Sequence, residues 1–88
     1  MSAPAARQGD VIIFRQPGPA MSHISSGSAT VMIGGLPAAC VGDAGVHGDT
    51  IASGSSTVLI GGRPAARIGD ITSTGNFIGS GCPNVLIG

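Results

Sequence analysis

Lysine, glutamate, tryptophan and tyrosine are all missing from this chain of 88 residues, and each absence closes off a class of explanation. Without lysine, and with four arginines balanced by four Asp, no basic patch exists to neutralise phosphates, which disfavours nucleic-acid binding. Two phenylalanines are the whole aromatic content, so the core must be thin and drawn from Ala, Val and Ile. The apolar runs stop at VIIF, VMI and VLI, far below the length that spans a bilayer. The opening MSAPAARQGD lacks the basic start and long apolar stretch of a signal peptide. Two cysteines, Cys40 and Cys82, fit no metal spacing such as Cys-x-x-Cys, and without an export signal they read as free thiols. The 16 glycines do not signal disorder, because the low hydrophobicity and high net charge that accompany disorder are both absent.

What the chain does contain is itself, three times over. ISSGSATVMIGG at 24–35 returns as IASGSSTVLIGG at 51–62 and as IGSGCPNVLIG at 78–88. Ile24, Ile51 and Ile78 are 27 residues apart, as are Gly27, Gly54 and Gly81. A second marker travels with the first: PAARQGD at 4–10, PAACVGD at 37–43 and PAARIGD at 64–70, the last two 27 residues apart and the first set back by a six-residue insertion in its link. Self-similarity at a fixed period means one supersecondary unit used repeatedly. The units run approximately 4–36, 37–63 and 64–88 within a single domain, 1–88, near the size at which a lone core stabilises only marginally.

Each unit reads as a proline-led turn, a variable link and a strand. Pro4 biases Ala3 away from helix, and Gly9 supplies the φ > 0 that a tight turn requires. Arg7 with Asp10, and Arg67 with Asp70, are spaced to let a guanidinium fork hold the turn; the plainer reading is a solvated surface pair worth under about 1 kcal/mol. In the second unit Cys40 stands where the arginine should be, leaving Asp43 to find Arg15, Arg63 or no partner. The links are 11–23, 44–50 and 71–77, the first longer than the others; in it VIIF predicts a short strand and Gln16-Pro17-Gly18-Pro19 a turn. Phe14 and Phe77 are expected in the core. After each Ser-Gly, period two places Val31 with Ile33, Val58 with Ile60 and Val85 with Ile87 on a buried face. Met32, Leu59 and Leu86 form a second apolar column, either core or docking surface, with core favoured by the usual burial of such residues. No window shows helical periodicity. The expected fold is all-β, without significant helix: a small pseudo-threefold cone of three strand-turn units, closed around an axis because three small apolar faces can be buried together that way, the alternative being a stacked solenoid.

Three Pro-Ala-Ala turns in register with three Ser-Gly/Val-x-Ile elements resemble the PAAR-repeat proteins, over essentially the whole chain. That resemblance implies a spike-tip protein of type VI secretion or a related contractile injection machine. It would bind end-on to a homotrimeric valine-glycine-repeat (VgrG-like) β-helical spike, one copy per trimer, sharpen it for membrane puncture and help to deliver effectors. A pseudo-threefold object seated on a true trimer has its symmetry largely matched. The resemblance further implies a monomer when free, transient contact with the target membrane, and a cytoplasmic location before export on the spike. Cargo would be bound separately or carried by the spike. The equivalent tip of a contractile phage tail or extracellular injection system is the alternative, and the sequence does not separate the two.

The family places a metal, one zinc or iron ion on histidines and a cysteine, near the apex. His23 and His47 fall in the corresponding links, with Asp49 or Cys82 as candidates to complete the set. The third link, ITSTGNF, has neither His nor Cys, and a tetrahedral site wants four ligands. Lone histidines are more often hydrogen-bonded polar residues, and Cys82, which matches Ser28 and Ser55, reads more simply as a small buried hydrophobe. A small metal-binding enzyme is the rival class. Ser22-His23 and His47-Gly48-Asp49 are its only local constellations, in a chain with no room for a substrate cavity.

Overall fold

The computed structural model describes residues 2–15 and 21–88; the turn expected at 16–19 lies outside them. The described residues contain no helix, and their strands are short. They are β1 (Ala3–Ala5), β2 (Val11–Ile13), β3 (Met21–His23), β4 (Met32–Ile33), β5 (Leu36–Pro37), β6 (Leu59–Ile60), β7 (Arg63–Pro64), β8 (Phe77–Ile78) and β9 (Cys82–Ile87). The all-β expectation holds. No helix among the described residues is long and apolar enough to cross a membrane.

Two hairpins follow directly from the glycine pairs. β4 pairs with β5, and β6 with β7, across the two-residue loops Gly34-Gly35 and Gly61-Gly62, whose φ values are 59° and 84°, and 59° and 81°. Positive φ at both loop positions is the type I′ geometry, whose twist matches that of the flanking strands. The third hairpin is assembled from the two ends of the chain. Leu86 pairs with Pro4 and Ile87 with Ala3, as Met32 pairs with Pro37 and Ile33 with Leu36, and as Leu59 pairs with Pro64 and Ile60 with Arg63.

The units close into a ring at the second alanine of each Pro-Ala-Ala. Ala39 N–H donates to Ala6 C=O at 3.0 Å, Ala66 N–H to Ala39 C=O at 2.9 Å, and Ala6 N–H to Ala66 C=O at 3.0 Å. A cyclic set of this kind requires rotation about an axis rather than stacking by translation. A second cycle repeats the geometry, with Gln8, Val41 and Ile68 N–H donating to the carbonyls of Pro37, Pro64 and Pro4. All three ring alanines are wholly buried, so little beyond a methyl group fits there.

Consecutive alanines feed two stacked core layers. The first of each pair, Ala5, Ala38 and Ala65, packs with Ile33, Ile60, Ile87, Cys40 and Cys82 in the layer next to the hairpins. The second, Ala6, Ala39 and Ala66, packs with Ile24, Ile51, Ile78 and Ile12 in the layer next to the links. Burying each isoleucine contributes on the order of 1.5–3 kcal/mol. At the link end, β2 runs between β3 and β8 in an antiparallel sheet, so the longer first link folds over the third unit.

Three expectations need correction. Val31 and Val85 are 36% exposed, and only Val58 packs against the core. Val31 and Val58 precede the two-residue strands β4 and β6 and are held by their carbonyls, which accept the Ala38 and Ala65 N–H, while β9, which contains Val85, is buried only at its ends, Cys82 and Ile87; period-two alternation therefore does not govern the valine position. Phe77 is also exposed, because it ends the sheet row formed with Ile13 on the outer face. Phe14 is half-buried against the link-side layer.

Closure by the chain ends makes the break in the third hairpin arbitrary. A circular permutant that joins Gly88 to Ser2 through two glycines and opens between Gly61 and Gly62 should fold to the same β structure and unfold cooperatively, as seen by circular dichroism. Loss of cooperative unfolding would contradict a ring of equivalent units.

Candidate functional site

The repeated Asp is a latch between units. Asp10 Oδ2 accepts the Arg7 N–H at 2.7 Å, Asp43 Oδ2 the Cys40 N–H at 2.8 Å, and Asp70 Oδ2 the Arg67 N–H at 2.7 Å. Each Oδ1 accepts a serine hydroxyl from the neighbouring unit: Ser80 to Asp10 at 3.0 Å, Ser26 to Asp43 at 3.3 Å, Ser53 to Asp70 at 3.1 Å. The same serines accept the N–H of Val11, Ala44 and Ile71. The glycine after each serine is required by close approach, since a Cβ on Gly27, Gly54 or Gly81 would lie 2.7–2.8 Å from an atom of the apposed Pro-Ala-Ala turn. These serines carry the inter-unit contact, and reading one unit at a time misses them; their recurrence two residues after each isoleucine was the available signal.

Arginine clamps the latch in two units. Arg7 reaches Asp10 through Nε at 3.1 Å and Nη2 at 3.2 Å, and Arg67 reaches Asp70 through the same atoms at 3.1 Å each. The hydrogen bonds to Asp10 and Asp70 hold both guanidinium pKa values above their ordinary value. In the second unit the cation comes from the next hairpin: Arg63 Nη2 lies 3.5 Å from Asp43 Oδ1, with Nη1 on Val41 C=O at 3.2 Å. Cys40 is buried, its Sγ 3.7 Å from Ile60 C=O. Burial, and then the charge of Asp43, push its thiol pKa up, which makes it an inert packing group.

The hairpin end presents Met32, Leu59 and Leu86 to solvent at 57%, 61% and 59% exposure. The core reading favoured for this column is therefore wrong. The isoleucine of each hairpin fills the layer beneath, and no second sheet covers the opposite side. Near-equal exposure at three repeat-equivalent positions leaves an apolar triad around the axis.

The link end gathers the two histidines but not a ligand set. His23 is exposed, and its carbonyl accepts the Val46 N–H at 2.8 Å. His47 is exposed too, its ring packed edge-on against Phe14 at 5.5 Å and 71°. Asp49 is buried at this end, whereas Cys82 belongs to the hairpin-side layer. Among the described residues no group of three His, Cys, Asp or Glu could hold a metal ion. These donors do not fit the tetrahedral nitrogen and sulfur set of a zinc site. Nor does any described serine or cysteine hydrogen-bond a histidine, and Ser22 Oγ has no partner at all, so the geometry of an activated nucleophile is not formed among them.

A closed pseudo-threefold β domain, latched by Pro-Ala-Ala turns, is the class that these features define. The family model described as the PAAR motif matches residues 1–53 and 20–80. The chain belongs to the PAAR-motif family. No curated protein matches it.

The two kinds of clamp should differ in energy. Arg67→Ala removes a bidentate, mostly buried pair and should cost about 1.5–3 kcal/mol, whereas Arg63→Ala removes one long ion-pair contact and one carbonyl contact from a guanidinium that is 46% exposed and should cost under about 1 kcal/mol. Urea denaturation of both variants checks the order; equal losses would contradict it.

Proposed function

We propose that this chain caps the end of a homotrimeric β-helical spike of the VgrG-like kind in a type VI secretion or related contractile injection machine. The observation that carries this reading is the exposed triad of Met32, Leu59 and Leu86, repeated about the axis on the end where the three units are most alike. A partner with true threefold symmetry can address all three positions with the same surface on each of its chains. One copy then sits on one trimer, with the link end pointing away as the tip that meets the target membrane. Effectors travel on the assembled spike.

Charge plays little part in such a seat. Three of the four arginines are already paired within the fold, so affinity should come from apolar burial and shape. Binding should therefore change little with salt, unlike an interface steered by exposed charges.

Leu59→Asp is the direct test. Because Leu59 is 61% exposed, the variant should keep the fold and stability of the parent, while a carboxylate forced into a desolvated contact should weaken spike binding at least about 100-fold. Native mass spectrometry with a candidate spike should show one chain per trimer. Three chains per trimer, or unchanged binding by the folded Leu59→Asp variant, would overturn the proposal.

A further inference from the structure

Two polar atoms at the link end are buried without any hydrogen-bond partner among the described residues: Asp49 Oδ1 and Ser22 Oγ. Their residues are 4% and 1% exposed. They hold the same place in the repeat, two positions before Ile51 and Ile24. The fold brings them together. Ser22 in β3 and Ile24 just after it are both buried, and Gly45 bridges to Ile24, which makes it a diagonal neighbour of Ser22. A Cβ on Gly45 would collide with Asp49 Oδ1 and lie 2.9 Å from Ile12 Cδ1, so the carboxylate lies over Gly45. Ile12 in turn pairs with Ser22 across β2 and β3. Asp49 Oδ1 and Ser22 thus both neighbour Ile12.

More oxygen surrounds the other side of the carboxylate. Thr74 Oγ1 donates to Asp49 Oδ2 at 3.4 Å and lies 3.2 Å from Oγ1 of Thr72, which is 3% exposed. Asn76, the third residue at this repeat position, is satisfied locally: its Oδ1 accepts the Arg15 N–H and its Nδ2 donates to Thr74 Oγ1. No cation among the described residues answers Asp49. Every Arg and His of the chain is among the described residues, and the ion pairs reach only Asp10, Asp43 and Asp70. A carboxylate buried this deeply without a counter-charge is strongly penalised.

We propose that Asp49 Oδ1 and Ser22 Oγ bind a small, singly charged hard cation of the sodium kind. Oxygen donors select hard ions over zinc, copper or iron. A single carboxylate neutralises a single positive charge, whereas a divalent ion would leave net charge in the interior. The site owes nothing to His23 or His47, which lie on the surface, and it stands independently of spike capping.

Thermal unfolding of the full chain at constant ionic strength, in sodium, potassium, calcium or tetramethylammonium chloride, tests this. With sodium tenfold above its dissociation constant, Tm should exceed that in tetramethylammonium by about 8 °C. Asp49→Asn, neutral and nearly isosteric, and Ser22→Ala should lose most of that difference. Sodium-23 resonance broadening by the parent, weakened in Ser22→Ala, reads binding without reference to stability, so the test survives if Asp49→Asn folds poorly. Equal Tm in all four salts with no sodium broadening would overturn the proposal, as would stabilisation by calcium, or by zinc added separately, where sodium has no effect.

Discussion

Three backbone hydrogen bonds, from Ala39 to Ala6, Ala66 to Ala39 and Ala6 back to Ala66, are the constraint on which this molecule depends. They oblige three stretches of main chain to meet on one axis, and the rest of the repeat answers that demand. Alanine keeps side chains small at the meeting point. Pro37, Pro64 and Pro4 give up an N–H but keep the carbonyl that the second cycle uses. The Asp latches then tie each turn to a serine of its neighbour, and Gly27, Gly54 and Gly81 let the backbones approach. A chain with so few large side chains cannot rest on a deep core. It gains uniqueness from hydrogen bonds between units, each net worth about 1 kcal/mol, together with two thin layers of Ala and Ile.

Symmetry is kept unevenly, and the pattern bears on function. At the hairpin end Met32, Leu59 and Leu86 are nearly identical in exposure, and the third hairpin is completed by the chain's own ends in the same register. At the link end the units diverge. The first link adds β2 and β3, His47 packs on Phe14, and the positions of Ser22, Asp49 and Asn76 carry three different polar groups. A threefold partner can use only the end where the units agree, leaving the other free to differ.

Much of this was legible in the sequence because the strand elements repeat at an exact spacing. The 27-residue step, the paired glycines and the β-branched strands predict three like units, their turns and the absence of helix. What crosses between units was not legible. Arg63 reaches Asp43 over 20 residues, and nothing in PAACVGD alone chooses it over Arg15. Ser26, Ser53 and Ser80 look like ordinary turn residues until the neighbouring Asp is placed beside them. For Met32, Leu59 and Leu86 the sequence leaves core and docking surface both open, and the lean toward core fails for another reason. General burial tendencies describe sheets with a second layer to cover them, and a two-residue hairpin strand in a domain this small has none. The orphaned oxygens of Ser22 and Asp49 depend on Gly45 lying between β3 and the carboxylate, a relation that no local pattern encodes.

The three units form one closed cooperative ring rather than three hairpins in loose contact. Native-state hydrogen exchange at the amides of Ala6, Ala39 and Ala66 reads it most directly. The account predicts that all three exchange only through global unfolding, with the same free energy and the same response to denaturant. Exchange of any one of them through a lower-energy local opening, while the other two stay protected, would contradict it.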